Sequence, residues 1–329
     1  MKAFTILLLL SAIFWVSFQA DYDPHKAFEM LRASSASYCS DSQLKNMGCG
    51  PVCNDLKGYT YISQYVYQIK AGQSISYSLL VNPSTKKFVA SFRGSQGSQQ
   101  IIDEIINGGY TKYDMYKIDN AVATKYFYAN YKNNMRNAFL ADIKKAIASY
   151  PDYHFYFVGH SLGGAFATLA VLDISLGGFL PKNRLHMYNY GCPRVGNVNF
   201  VKAVEESIGG EFFRIVHYKD IVPHVPPCIV NPLKNQCLEG SSHYYNETDN
   251  ENLLYYAWHI APEIFYDIQD STTWRFCSKH EDNTCSDRFH LIETSISDHL
   301  VYLGVNTGCG GNNAFGEDIL HEGIVNLAI

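Results

Sequence analysis

The chain has 329 residues, of which 47% are apolar and 14% aromatic, with a formal net charge of -5. The apolar fraction supports a folded core and excludes a disordered chain. A mild negative charge with no Lys/Arg stripe excludes nucleic acid as a partner, because phosphate binding needs clustered cations.

The chain opens Met1-Lys2-Ala3, runs apolar from Ile6 to Val16, and reaches small and polar residues ending at Ala20. A charged start before a short apolar run is the pattern of a secretory leader, and it offers no comfortable bilayer span. Residues 1–20 are therefore expected to be removed, leaving residues 21–329 as a secreted, monomeric single domain, either extracellular or within the secretory and endolysosomal pathway. Ala27, Met30, Leu31 and Ala33 recur at helical spacing and predict a helix over residues 24–38, before Gly48, Gly50 and Pro51 mark a cysteine-rich loop. Residues 61–69, 76–81 and 87–92 are β-branched or aromatic runs, the last two separated by Asn82-Pro83-Ser84-Thr85, and predict adjacent strands. Residues 120–149 lack Gly and Pro and predict one long helix, stopped by Tyr150-Pro151.

A strand is predicted at 153–158, a helix at 165–176 closed by Gly177-Gly178, a strand at 185–190, a helix at 198–207 and a strand at 212–218. Strands alternating with helices imply an α/β fold with a mostly parallel central sheet flanked by helices on both faces. Beyond Pro223 the chain turns Pro-, Cys- and polar-rich, and the sequon at Asn246-Glu247-Thr248 fits a glycosylated, exposed loop of a secreted protein.

Nine cysteines in a secreted chain read as disulfides. Cys192 ends an apolar, strand-like stretch and is taken as the unpaired one, which leaves eight for four bridges. A metal site is not expected, since Cys49-x3-Cys53 has no second ligand pair nearby.

Between the strand at 153–158 and the helix at 165–176 stands Gly159-His160-Ser161-Leu162-Gly163. G-x-S-x-G acquires meaning from a strand before it and a helix after it, and both are predicted here. The turn is so sharp that side chains at Gly159 or Gly163 would collide with backbone, while Ser161 is pushed outward at a helix N-terminus that favours an oxyanion. A serine hydroxyl needs a base to take its proton and a carboxylate to orient that base, in the chain order Ser, acid, His. Asp220 follows the strand at 212–218, at the sheet edge where open α/β folds bind ligands. Seven histidines lie downstream of Asp220, and pattern alone does not choose among them.

Five stretches carry a resemblance: Val89-Ala90-Ser91-Phe92-Arg93-Gly94-Ser95; residues 158–165; Tyr190-Gly191-Cys192-Pro193-Arg194-Val195-Gly196-Asn197; His217-Tyr218-Lys219-Asp220-Ile221-Val222-Pro223; and Asp298-His299-Leu300-Val301-Tyr302-Leu303-Gly304. Together, and in this order, they resemble the fungal-type class 3 lipases, which have the α/β-hydrolase fold. The resemblance implies that His299 is the general base, and that Ser95 and the Leu162 N–H form the oxyanion hole. It implies an amphipathic lid over residues 98–107, with Ile101, Ile102, Ile105 and Ile106 on one helical face, though without the tryptophan some fungal members carry there. It also implies bridges Cys39–Cys309, Cys49–Cys53 and Cys277–Cys285, which leaves Cys228 with Cys237. The activity implied is cofactor-free hydrolysis of an acylglycerol ester at a lipid-water interface. Phospholipase A1, galactolipase and feruloyl-type esterase are rivals within enzymes. A non-catalytic secreted binding module is the rival outside them, and its mark would be a broken set of these residues.

Overall fold

The computed structural model describes residues 22–95, 109–228, 230–231, 236–237, 257–269, 271 and 273–311. The expected leader, the sequon at Asn246, the tail after residue 311 and the four isoleucines of the expected lid lie outside them. Eight strands form one sheet: β1 (Thr60–Lys70), β2 (Gln73–Asn82), β3 (Lys87–Phe92), β4 (His154–His160), β5 (Leu185–Tyr190), β6 (Phe212–His217), β7 (Glu263–Tyr266) and β8 (Arg275–Cys277), lying side by side in chain order. Strands β3 to β7 are parallel, and β1, β2 and β8 run antiparallel at the edges.

Successive parallel strands laid down in one direction by right-handed crossovers put their helices on one face. That face is covered by α2 (Arg136–Ser149), α3 (Leu162–Leu176) and α4 (Val198–Ser207), whose Phe139, Phe166 and Val201 meet Phe88, Phe157 and Met187 of the sheet. The other face is covered by α1 (Pro24–Ala36), with Met30 and Leu31 packed over Val89, Val158 and Tyr190. With both faces covered, the central strands read as continuous apolar runs rather than alternating ones.

The four bridges are Cys39–Cys309, Cys49–Cys53, Cys228–Cys237 and Cys277–Cys285, and Cys192 is unpaired and buried. Cys39–Cys309 ties the end of the α1 segment to the far end of the described chain across 270 residues. Chain-entropy reasoning assigns such a loop roughly 5 kcal/mol. Replacing both cysteines by serine should lower the melting temperature by up to about 8 °C while leaving hydrolysis at 20 °C intact. A melting curve unchanged by the double substitution would contradict this.

Three sequence expectations change. Residues 120–149 are not one helix: Val122–Thr124 is a strand paired with Tyr110–Lys112, then come Lys125–Asn130, a π-helical stretch Tyr131–Met135, and α2. Tertiary partners decide this, because Val122 N–H donates to Asn197 Oδ1 and Thr124 N–H to the Val195 carbonyl, bonds no helix could offer. The loop after residue 40 contains two short helices, Asp41–Lys45 and Pro51–Asp55. The polar region beyond Pro223 supplies β7, which pairs with β6 about fifty residues back, and β8, which pairs with β7.

Candidate active site

Strand β4 runs into α3 through Ser161, whose φ of 61° and ψ of -133° lie outside the regions an L-residue favours. Such a conformation costs of order 1–3 kcal/mol and persists only where surroundings fix it. Here Ser161 N–H donates to the Tyr190 carbonyl at 2.9 Å and its own carbonyl accepts Gly164 N–H at 2.9 Å. The glycines are required by crowding: a Cβ on Gly159 would stand 2.2 Å from Gly163 backbone, and one on Gly163 2.1 Å from the Phe92 carbonyl oxygen. Leu162 is the first residue of α3, so its N–H belongs to the unpaired first turn of that helix.

Asp220 follows β6 and is fully buried. Its Oδ2 accepts from His299 Nδ1 at 2.8 Å and from the Tyr302 hydroxyl, and its Oδ1 accepts from Val222 N–H at 2.8 Å. Burial by itself would raise this carboxyl's pKa. The neighbouring His299 and the donors Tyr302 and Val222 outweigh it and hold Asp220 below the usual carboxylate range.

His299 ends a short helix, Ile296–His299, capped by Ser295, and a bridge between Asp220 and Ser295 fixes that segment against the strand end carrying the acid. Its ring stacks on that of His160, centroids 4.4 Å apart, and His160 directly precedes Ser161. Gly191, the residue after the carbonyl that holds Ser161 N–H, has φ of +55°, and a Cβ on it would stand 2.5 Å from Asp220 Oδ2 and 3.0 Å from His299 Cε1. Ser161, Asp220 and His299 thus converge around one glycine. The loop after β3 joins them: a Cβ on Gly94 would lie 3.1 Å from Ser161 Cβ, and half-buried Ser95 follows Gly94.

Three neighbours have no signal in the sequence that marks their place here. Tyr302 stands inside the Asp298–Gly304 stretch but nothing in a sequence shows its hydroxyl reaching Asp220. Tyr38 and His160 meet across 122 positions, hydroxyl to Nδ1 at 2.9 Å. Arg194 is buried with Glu281 and Asp287, its Nη2 donating to Glu281 Oε2 at 2.7 Å and to Asp287 Oδ1 at 2.9 Å, while Nη1 donates to the Pro223 and Pro226 carbonyls. It therefore clamps the segment after Asp220.

The mostly parallel sheet, sharp strand-to-helix turn and disulfide framework define an α/β-hydrolase. Residues 89–230 match the family described as Lipase (class 3). A Caenorhabditis elegans lipase is 25% identical over 324 residues, 94% of this chain and 88% of that protein. A Rhizomucor miehei lipase is 31% identical over 226 residues, 68% of this chain but 54% of that protein, so the chain spans about half of the fungal relative's length. A solved structure, described as showing that a serine protease triad forms the catalytic centre of a triacylglycerol lipase, superposes with a TM-score of 0.69 at 25% identity, covering 87% of this chain and 96% of that one. The chain belongs to the fungal-type class 3 lipases and is a carboxylic ester hydrolase of triacylglycerol-lipase type.

Proposed function

We propose that the chain is a secreted, monomeric lipase that hydrolyses acylglycerol esters at a lipid-water surface by two-step acyl transfer, requiring no cofactor. Ser161 attacks the ester carbonyl while His299 takes its proton, and Asp220 stabilises the resulting imidazolium. Ser95 and the Leu162 N–H receive the oxyanion, and water then resolves the acyl-enzyme by the same route. The observation that carries this reading is the buried His299–Asp220 pair, 2.8 Å apart and stacked against the residue preceding Ser161. Secretion is supported by the leader-like start and four bridges. Among the described residues no helix is long and apolar enough to cross a membrane.

A lipid surface as the working environment is supported by apolar side chains turned to solvent on the segment that carries His299: Leu291 is 42%, Ile292 94% and Leu300 46% exposed. Phe289, two residues before Leu291, has Arg288 and Lys219 standing over its ring at 4.7 and 5.2 Å, cations suited to the edge of a lipid surface. The sequence spacing of Ile101, Ile102, Ile105 and Ile106, in a segment outside the described residues, supports a gate. Fully burying one Ile contributes roughly 1.5–3 kcal/mol, so exposing such a face costs free energy in water and little against hydrocarbon.

Hydrolysis should rise steeply as a sparingly soluble ester passes its solubility limit. Ile102→Asp with Ile105→Asp, or Ile292→Asp alone, should flatten that rise by about tenfold while sparing a short soluble ester. A smooth hyperbola through the limit in the unaltered enzyme would point to a soluble-ester hydrolase. Parallel assays on triacylglycerol, phospholipid, galactolipid and feruloyl esters assign the substrate class. Failure on all of them would favour a binding module.

A further inference from the structure

We propose that Tyr38, contributed by the segment after α1, is a positioning residue that locks the oxyanion loop to the nucleophile turn through His160. The inference rests on reading Ser161 as the nucleophile. His160 Nε2 faces the His299 carbonyl oxygen at 2.8 Å, an acceptor only, so Nε2 carries the proton. Its Nδ1 lies 2.9 Å from the Tyr38 hydroxyl. In a neutral imidazole with Nε2 protonated, Nδ1 can only accept, so Tyr38 donates to it and its oxygen lone pairs remain to accept. Gly94, the residue before Ser95, packs against the same hydroxyl, since a Cβ built on it would stand 2.1 Å from the Tyr38 oxygen. The resulting chain runs from the Tyr38 O–H to His160 Nδ1 and from His160 Nε2–H to the His299 carbonyl, with Gly94 packed against the Tyr38 hydroxyl.

Each link touches a different part of the site: Gly94 the oxyanion loop, His160 the turn holding Ser161, and the His299 carbonyl the backbone of the base. Burial and the adjacent His299 push His160 down to about 3, so it stays neutral and the direction of the chain holds when His299 gains a proton. Burial pushes the Tyr38 phenol well up, so it remains a donor. Space allows no substitute for this loop, since a Cβ on Gly94 would stand 2.1 Å from the Tyr38 hydroxyl oxygen and 2.6 Å from the His160 carbonyl oxygen. Tyr38 is itself anchored to the end of α1, its N–H donating to the Ser35 carbonyl at 3.1 Å. Tyr38 bonds to His160 rather than to Ser161, Asp220 or His299; it acts by fixing where the oxyanion donors stand, and a donor displaced from the oxyanion stabilises the transition state less.

The test uses the full secreted chain and two variants that cut the same link from opposite ends. Tyr38→Phe removes the donor; His160→Gln keeps a donor near the Nε2 position but removes the Nδ1 acceptor. Functional sites are counted by titration with a p-nitrophenyl alkylphosphonate, so that misfolded protein does not count. Per titrated site, kcat on p-nitrophenyl butyrate should fall about 10- to 50-fold with KM unchanged. Affinity for an alkylboronic acid, which mimics the tetrahedral oxyanion, should weaken by a similar factor. The double variant should be no worse than either single one, because both remove one shared interaction.

A kcat within twofold of the parent in both variants, or losses that multiply in the double variant, would overturn the proposal. Should Tyr38→Phe fail to fold, His160→Gln alone carries the same expectation. An inert Ser161→Ala beside a fully active Tyr38→Phe sinks only the role of Tyr38, whereas an active Ser161→Ala sinks the reading beneath it.

Discussion

Ser161→Ala is expected to lower kcat/KM on a short soluble ester by a factor on the order of 10⁶, and His299→Ala by a similar factor, with yield and melting temperature nearly unchanged. Similar losses at two sites mean that nucleophile and base act as one unit: a serine without its base is as inert as a base without its serine. Stability should hold in Ser161→Ala because the positive φ of 61° is set by backbone bonds to Tyr190 and Gly164, which the substitution leaves in place. His299→Ala leaves Asp220 buried, but still accepting from Tyr302 and Val222, so its loss of stability should be modest beside its loss of rate. Single-turnover assays on titrated protein check this, and near-normal turnover in either variant would remove the central reading.

Asp220→Asn should cost roughly 10³–10⁴ in kcat and leave more residual activity than either change above. Among the described residues Oδ2 receives two donors, His299 Nδ1–H and the Tyr302 hydroxyl, whereas Oδ1 receives only Val222 N–H. An asparagine keeps most by placing its oxygen at the Oδ2 position, which preserves the orientation of His299 but sets its amide against Val222 N–H. What disappears is the negative charge proposed to stabilise the imidazolium in the transition state. The substitution also changes the dependence of stability on pH. Asp220 has a folded pKa held below its unfolded value, so its contribution is fully present above the unfolded value near 3.9 and is lost as pH falls through the folded one. Urea unfolding between pH 6 and 3 should therefore show a shallower acid loss in Asp220→Asn than in the parent. Equal slopes, or an undiminished kcat alongside another essential carboxylate, would show that the acid has been misassigned.

The turn at Ser161 was legible because its causes are local: crowding at Gly159 and Gly163, and a strand and a helix in immediate sequence neighbourhood. Asp220 was legible in part, since chain order and the end of β6 narrow the choice. His299 was not, because seven histidines follow Asp220 and the one that meets it stands 79 positions on. Only family resemblance distinguished it.

By itself the sequence determined the alternation of strands and helices, the parallel centre of the sheet, the sharp serine turn and an unpaired Cys192, all of which follow from periodicity, composition and short-range sterics. Tertiary structure alone decided that residues 122–124 pair as a strand instead of continuing a helix, and that β7 and β8 rise from a stretch with no periodic signal. It alone decided that Tyr302 completes the carboxylate's shell and that Tyr38, His160 and His299 line up across 122 and 139 positions. The physical reason is the same in each case: a hydrogen-bond donor gains its meaning from the acceptor it meets, and when that acceptor arrives from a distant segment no local pattern of residue types records the meeting.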